Sequence, residues 1–274
     1  MMRIALGVEY DGAAYIGWQR QRHGVTVQEV VEKALSKIAA EPIAVTCAGR
    51  TDAGVHATQQ VIHFDTNAER PMHAWLLGGN SNLPPGVSFR WAEPVPETFN
   101  ARFSALSRAY RYVLMCHRLR PGLNRDRVAW TYKQLDAERM HEAGQVLLGE
   151  QDFTSYRAVA CQAKHPFRRL DRLSVWRRGD FVYLDIEANA FLHHMVRNIA
   201  GTLMKIGAGE APVSWAGEVL AAKDRTAAGV TAPAGGLYLV KVVYPPEYGL
   251  PESGSLPVLR KAGAQVTIQR LDNR

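Results

Sequence analysis

The order of predicted strands and helices repeats along this chain, and that order limits the folds open to it. The hydrophobic pattern of the first half predicts a strand, a helix, two strands, a helix and a strand. The second half predicts the same order, with one further short helix near SWAGEVLAAK before its last strand, although no stretch of sequence is repeated. Such β-α-β-β-α-β units place helices on an antiparallel sheet. We therefore expect two α+β lobes whose antiparallel sheets join.

Local signals fix several of these elements. The stretch TVQEVVEKALSKIAAEP predicts a helix that begins with a capping box of Thr26 and Glu29. The strongest predicted helix is FLHHMVRNIAGTLMKIG, residues 191–207, in which apolar residues form one stripe. The stretch LDRLSVWRRGDFVYLDIEA predicts a hairpin that turns at Gly179 and Asp180.

The boundary between the lobes is expected near the stretch FNARFSALS. We predict an N-terminal α+β lobe at 1–104 and a C-terminal α+β lobe at 105–245. Residues 246–274 are rich in proline, glycine and basic side chains, a composition that predicts a loosely held basic tail.

The charge of the chain favours a polyanionic partner. The 274 residues include 33 Lys and Arg against 26 Asp and Glu, a formal net charge of +7. A positive field of this kind attracts nucleic acid first. At 47% hydrophobic residues the chain is expected to be globular rather than disordered.

The cysteines and the hydropathy of the chain indicate in which cellular compartment the protein is expected. The three cysteines are widely spaced and odd in number, which argues against a disulfide framework and fits a reducing cytosol. The N-terminal stretch MMRIALGVEYDG lacks a signal-peptide core, and no apolar run approaches a membrane span. We expect a cytoplasmic protein without a membrane segment.

The stretch CAGRTDAGVHA, residues 47–57, places an aspartate between two predicted strands. One interpretation is a hairpin turn, because Asp suits the first position of a turn and Gly supplies positive φ. The other is a nucleophile or base: Asp52 would stand at the loop tip near Arg50, which would keep its carboxylate ionised. The two interpretations are compatible, since a rigid turn orients a side chain well.

Two aromatic stretches have both a structural and an RNA-binding interpretation. In the loop at 10–24, Tyr15 and Trp18 lie beside glutamines and arginines that suit bases and phosphates, although a solvated basic loop has the same composition. In SRAYRYVLMC, strand alternation places Tyr110 on the face opposite Arg111. Packing against other side chains is one role for Tyr110, and contact with a flipped base is the other.

The stretch FLHHMVRN raises the question of a metal site. Successive helical residues point about 100° apart, so His193 and His194 are not expected to share a metal. Arg197 lies off the apolar stripe and beside the small residues Ala200 and Gly201. An arginine in that setting predicts either a carboxylate partner or exposure to solvent.

Six stretches, met in order between residue 3 and about residue 244, closely resemble the bacterial tRNA pseudouridine synthase A family: YDGAAYIGWQRQ, AGRTDAGVHA, FNARFSALSRAYRY, DFTSYRA, NAFLHHMVRNIAGTLMKIG and GLYLVKVVY. The resemblance implies conversion of uridines 38, 39 and 40 of the tRNA anticodon stem-loop to pseudouridine by a homodimer, without cofactor or metal. It also implies two ferredoxin- or RRM-like lobes around a shared central antiparallel sheet, with helices packed on it and the active cleft between them.

The resemblance also implies site residues. The nucleophilic aspartate of the family corresponds to Asp52, and the tyrosine that packs on the target base corresponds to Tyr110. The arginine that pairs with the aspartate corresponds to Arg197, and the apolar residue beneath the base to Leu237. Arg50 matches the arginine thought to flip the base or hold the RNA.

Several alternatives stay open at this point. Asp52 would attack the ribose C1′ or the uracil C6, or remove a ribose proton, and the sequence does not choose among them. A rival function is a non-catalytic RNA-binding protein of two RRM-like lobes. A third is a uridine-modifying enzyme with another target site. Arg50, Asp52, Tyr110 and Arg197 together favour catalysis, because pure RNA binding needs no lone acid facing a polyanion.

Overall fold

The computed structural model describes residues 1–251. Within them, the strands are β1 (Met2–Tyr10), β2 (Thr46–Cys47), β3 (His56–Thr66), β4 (Val87–Val95), β5 (Ser107–Cys116), β6 (Ala129–Thr131), β7 (Gly149–Asp152), β8 (Phe167–Arg178), β9 (Phe181–Ala188) and β10 (Leu237–Val243). The α-helices are α1 (Val27–Ala39), α2 (Gly79–Asn82), α3 (Ala137–Gln145), α4 (Met195–Gly207) and α5 (Trp215–Ala222). A π-helical turn, Ala74–Gly78, leads into α2.

All ten strands form one sheet, in which each half of the chain has the same topology. The strands run in the order β4-β1-β3-β10-β5-β9-β8-β7, with β2 beside β3 and β6 beside β5. The first half is thus ordered β4-β1-β3-β2 and the second β10-β5-β9-β8, which are equivalent positions in two β-α-β-β-α-β units. The predicted α+β fold with a shared, mostly antiparallel sheet is confirmed.

The halves meet along β3 and β10, and this pairing is parallel. Tyr238 lies opposite His56, and Leu239 lies opposite Ala57. The predicted boundary after residue 104 falls in the connection between β4 and β5. The short strands β6 and β7 were not predicted, because three or four residues are too few to show a hydrophobic period.

The two faces of the sheet differ, as alternation in β5 shows. Tyr112 and Leu114 belong to the large core that also contains residues of α1, α3, α4 and α5. Val113 belongs to a smaller cluster on the other face. On that face Arg111, 4% exposed, donates two hydrogen bonds of 2.6 and 2.7 Å to Asp185. The predicted opposition of Tyr110 and Arg111 across the strand is therefore confirmed.

Local signals at two predicted elements are also confirmed. The Thr26 hydroxyl accepts a hydrogen bond from the Glu29 N–H at 3.3 Å, so it caps α1 as the sequence predicts. Gly179, with φ of 58°, turns the hairpin between β8 and β9. By contrast, the predicted start of the helix at 191–207 is wrong, because α4 begins at Met195.

Only the first residues of the predicted basic tail lie in the described part of the chain. Pro246–Tyr248 form a 3₁₀ turn, and the Tyr248 ring packs edge-on against Phe99 at 5.0 Å. Residues 252–274 lie outside the described residues. Across 1–251, none of the helices combines the length and apolarity that crossing a lipid bilayer requires.

His63 on β3 links stability to pH. Its side chain is 6% exposed, and its Nδ1 accepts a hydrogen bond from the Ala101 N–H at 3.1 Å. Burial, together with the positive charge of Arg3, lowers the pKa of His63, while Asp65 opposes that shift. Folding therefore favours the neutral imidazole.

We expect acidification below about pH 6.5, the ordinary pKa of histidine, to lower the free energy of unfolding. Below that pH, His63 is protonated in the unfolded chain but stays neutral in the folded protein. The free energy of unfolding therefore keeps falling until the pH reaches the folded-state pKa of His63. In the variant His63→Asn, whose side-chain oxygen can still accept a hydrogen bond, this pH dependence should shrink by up to about 1 kcal/mol between about pH 7.5 and 5.5. Urea unfolding at both pH values measures it. The exposed His23→Asn variant should behave as wild type, and an unchanged slope in His63→Asn would contradict the assignment.

Candidate active site

Asp52 lies on a tight turn between β2 and β3. The Val55 N–H donates to the Asp52 carbonyl at 3.1 Å, and Gly54 adopts a φ of 76° within the turn. Gly is favoured there because a positive φ strains other residues. The predicted turn is confirmed, and the Asp52 side chain is 25% exposed at its first position.

The loop between β1 and α1 supports this turn. The Trp18 N–H donates to the Thr51 carbonyl at 3.0 Å, and the Gly54 N–H donates to the Tyr15 carbonyl at 3.3 Å. Tyr15 is 8% exposed and Trp18 only 1%. The interpretation of Trp18 as an RNA-stacking group is therefore wrong, whereas that of Tyr15 stays a prediction. Their burial fixes the loop that holds Asp52.

Three further side chains anchor the residues just before Asp52. The buried Tyr10 hydroxyl lies 2.7 Å from the Thr51 hydroxyl. The Gln60 side chain, fully buried, donates to the Gly49 carbonyl at 2.6 Å. Arg108 on β5 donates to the Ala48 carbonyl at 3.1 Å and so connects the turn to the second half of the chain.

Arg197 from α4 contacts the Asp52 carboxylate. Its Nη1 lies 3.1 Å from Asp52 Oδ2, and its Nε donates to the Ala232 carbonyl at 2.8 Å. The Arg197 side chain is 15% exposed. Held at both ends, the guanidinium presents a fixed positive charge to Asp52. The predicted carboxylate partner of Arg197 is therefore present, and it comes from the other half of the chain.

Two histidines that the sequence analysis set aside also contact Asp52. His193 Nε2 lies 3.5 Å from Oδ1, and His194 Nε2 lies 3.3 Å from Oδ2. Both residues precede α4, and His194 has a left-handed φ of 60°. The argument that helical spacing turns the two imidazoles apart is therefore wrong. Burial lowers the pKa of His194, while Asp52 opposes that shift and the positive charge of Arg197 adds to it.

These three side chains lie close enough to one another to be candidate ligands of a metal ion. One ligand atom each from Asp52, His193 and His194 lies within 4.8 Å of the others. Imidazole nitrogens with a carboxylate oxygen are a donor set that zinc accepts. The sequence carries no signal for this arrangement, because ligand spacing is normally judged from helical or strand periods.

Tyr110 on β5 lies near this carboxylate. It is 8% exposed, and its ring packs edge-on against Phe191 at a centroid distance of 5.1 Å. Burial raises the pKa of Tyr110 above its ordinary value, and the negative charge of Asp52 raises it further. The hydroxyl is thus a proton donor at neutral pH. The half-buried Phe191 is a neighbour that sequence reasoning did not identify.

The remaining two predicted site residues differ in solvent exposure: Leu237 is buried and Arg50 is exposed. Leu237 begins β10, is 6% exposed and lies opposite Tyr112 in the sheet, while its neighbour Leu239 lies opposite Tyr110. Arg50 is exposed two residues before Asp52 and makes no hydrogen bond or ion pair with residues 1–251. Its guanidinium is therefore available to a ligand.

Fold and site define an α+β protein whose two halves share one sheet, and in which an arginine of the second half pairs with a carboxylate of the first. The chain belongs to the tRNA pseudouridine synthase family, whose model matches residues 7–104 and 143–245. Pseudouridine synthases are isomerases.

Curated relatives match over nearly the whole chain. A protein of Aeromonas hydrophila named tRNA pseudouridine synthase A is 60% identical over 92% of this chain and 93% of its own length. Proteins of the same name from Vibrio vulnificus and Escherichia coli O1:K1 are 57% and 58% identical, over 94% and 91% of this chain and 97% and 93% of their own lengths.

Among solved structures, one described as a Cbf5-Nop10-Gar1 complex aligns with 86% of this chain and 48% of that chain. The chain thus spans about half of that protein. The TM-score of 0.33 and identity of 13% are too low to support an argument.

Proposed function

We propose that this chain converts uridine to pseudouridine at positions 38, 39 and 40 of the tRNA anticodon stem-loop, with Asp52 as the nucleophile on a flipped uridine. The observation that carries the proposal is the Asp52 carboxylate itself, which lies 3.1 Å from Arg197 of the other half of the chain. Family membership and relatives named tRNA pseudouridine synthase A support the reaction and the class of RNA.

The reaction needs a nucleophile or base and an enclosed pocket. The N1–C1′ bond breaks, the uracil turns, and a C5–C1′ bond forms. N1 gains a proton and C5 loses one, so atoms and charge balance without an oxidant, a reductant or a net water. Asp52 would attack C1′ or C6, or remove a ribose proton. In each case the Asp52 carboxylate is the reacting group, and the guanidinium of Arg197 orients it through a charge-assisted hydrogen bond.

The remaining residues are assigned to the base and the RNA. Tyr110 would lie against the flipped uracil and, as a neutral hydroxyl, relay the proton that leaves C5 by accepting it while its own proton passes to another acceptor. Leu237 would support the base from beneath. The exposed Arg50 would bind a phosphate or help to hold the flipped nucleotide. Flipping costs a few kcal/mol, which contacts of this kind would offset.

We also propose the assembly and compartment. The enzyme would act as a homodimer on tRNA, for which the net charge of +7 provides attraction. The cytoplasm is the proposed compartment, since all three cysteines are free thiols. The proposed units, residues 1–104 and 105–245, would each supply part of the cleft.

A direct assay tests the reaction. Wild-type protein is incubated with tRNA labelled with tritium at uridine C5, and tritium release is followed. The released label should come from nucleotides 38, 39 and 40 when pseudouridines in the product are mapped. A non-catalytic RNA-binding protein would release no tritium, and a uridine-modifying enzyme with another target would place its product elsewhere. Either result would overturn the proposal.

Arg197→Lys should lower kcat/KM for tRNA by about tenfold. A lysine keeps the positive charge but has one ammonium group, so it cannot hold Asp52 and the Ala232 carbonyl together in the planar geometry of the guanidinium. Steady-state tritium release measures the effect. Arg172→Lys, an exposed arginine on β8, is the matched control and should be unaffected. A wild-type rate in Arg197→Lys would contradict the role given to the fixed guanidinium.

A further inference from the structure

The segment before α4 carries two adjacent histidines on the same side of the backbone. His194 adopts a left-handed φ of 60°, a conformation uncommon for residues other than glycine. As a result the two rings lie 4.0 Å apart and both approach Asp52. Neither imidazole makes a hydrogen bond with any other part of residues 1–251, so both ring nitrogens are available to a ligand.

We propose that Asp52, His193 and His194 form a site for a zinc-like divalent transition-metal ion, and that the bound ion inhibits the enzyme. In a tetrahedral zinc site, bonds of about 2.0–2.1 Å place neighbouring ligand atoms about 3.4 Å apart. The His193 Nε2 lies 3.5 Å from Oδ1, close to this spacing, and the His194 Nε2 lies 3.3 Å from the other carboxylate oxygen, Oδ2. Rotation of the two partly exposed imidazole rings toward an ion on Oδ1 would complete the three-ligand set.

The donor set selects the kind of ion. Imidazole nitrogens suit zinc, cobalt, nickel and copper, whereas magnesium and calcium prefer oxygen ligands alone. Three protein ligands leave a fourth position, which water would occupy because the site is open to solvent. The His193 and His194 side chains are 41% and 27% exposed, so an ion can enter without unfolding the protein.

Arg197 limits the affinity without blocking the site. Its Nη1 contacts Asp52 Oδ2, while a carboxylate has about four lone-pair positions on its two oxygens. The ion can therefore bind through Oδ1 while the guanidinium stays on Oδ2. Repulsion between the metal ion and the Arg197 guanidinium makes binding of the ion reversible and weaker than that of a structural zinc.

Inhibition follows because the ion and the uridine need the same carboxylate. An Asp52 oxygen bound to zinc is not free to attack ribose or uracil, or to remove a proton. This part of the inference rests on the proposed function, whereas binding of the ion does not. Metal binding and catalysis are therefore tested by separate measurements.

The test uses the full chain without RNA and Co²⁺ as the probe, because tetrahedral Co²⁺ absorbs visible light and accepts the same ligands as zinc. Titration should give a saturable visible band that added Zn²⁺ removes. Asp52→Asn, His193→Asn and His194→Asn should each weaken binding by more than about tenfold, the lower end of the loss seen when an outer-shell partner is removed. The exposed His23→Asn is the matched control and should bind as wild type.

Three outcomes decide the inference, once thermal unfolding shows that each variant is folded. No visible band, or equal binding by the histidine variants and wild type, overturns it. A band that depends on the three residues, with Zn²⁺ inhibiting wild-type tritium release over the same concentration range as binding, supports it. Binding without inhibition overturns the inhibitory role. If Asp52→Asn keeps full activity, the proposed function fails, and the Co²⁺ titration still decides the site.

Discussion

Asp52→Asn is expected to lower pseudouridine formation by at least about 10³-fold, the scale of a lost catalytic group. Asparagine has nearly the same shape as aspartate but is neither a nucleophile nor a base. The change removes the negative charge that Arg197 stabilises and leaves the guanidinium its second partner, the Ala232 carbonyl. Tritium release under single-turnover conditions measures the loss, because it separates chemistry from product release.

Binding of tRNA should survive the same substitution, with a Kd within about threefold of wild type. Affinity for tRNA comes mainly from cations facing phosphates, and Asp52 is an anion at the proposed site of a polyanionic substrate. Loss of its charge therefore removes repulsion rather than attraction. Anisotropy with labelled tRNA measures Kd, and a thermal melt shows whether the fold is intact.

The matched control is Asp171→Asn, on the exposed part of β8, where the carboxylate pairs with Arg169 and with no other cation among residues 1–251. It should keep both activity and tRNA binding. The assignment of Asp52 fails if Asp52→Asn turns over at a normal rate. It also fails if the variant loses activity only because it no longer binds tRNA.

The overall fold was predictable because the order of its strands and helices follows from hydrophobic periods within short stretches of sequence. Alternation in β5 and a helical stripe in α4 are properties of neighbouring residues, and they produced the doubled β-α-β-β-α-β order. The parallel contact of β3 and β10 was not predictable. It pairs Tyr238 with His56, far apart in the chain, and such contacts are set by the packing of whole lobes.

The partner of Arg197 was predictable from its small neighbours, and the structure gives the reason. A side chain at Gly201 would meet the Val230 carbonyl at 1.8 Å, so only glycine lets that segment approach α4. The approach brings the Ala232 carbonyl to Arg197, which then points its guanidinium at Asp52. Small residues beside the arginine thus mark a close backbone contact.

The histidines were misjudged because the start of α4 carries no sequence signal. Its N-cap residue, His194, makes no side-chain capping bond, and no Ser, Thr, Asp or Asn stands there. The apolar residues Phe191 and Leu192 extend the helical pattern backwards past the true start. Trp18 was misjudged for a related reason: a polar and glycine-rich stretch resembles a solvated loop, although tertiary packing buries its ring.

Gly17→Ala is expected to disturb the site from the supporting loop. Gly17 has a φ of 108°, and a Cβ there would lie 2.9 Å from the Thr51 carbonyl and 3.2 Å from the Ala53 nitrogen. Both contacts are with backbone on either side of Asp52, so the turn must move. We expect the free energy of unfolding to fall by about 2–4 kcal/mol. Displacement of the carboxylate should lower the rate by about 10²-fold.

Gly179→Ala separates backbone strain from displacement of the Asp52 turn as causes of this effect. Gly179 also has a positive φ, 58°, but nothing lies within 4 Å of a Cβ placed there. Its substitution carries backbone strain of about 1–2 kcal/mol and leaves the distant cleft unchanged. Urea unfolding and tritium release, at a temperature where both variants stay folded, compare them. Full activity in Gly17→Ala would show that the turn tolerates displacement. A rate lost in Gly17→Ala but not in Gly179→Ala would show that catalysis depends on the position of Asp52, which the β1–α1 loop supports.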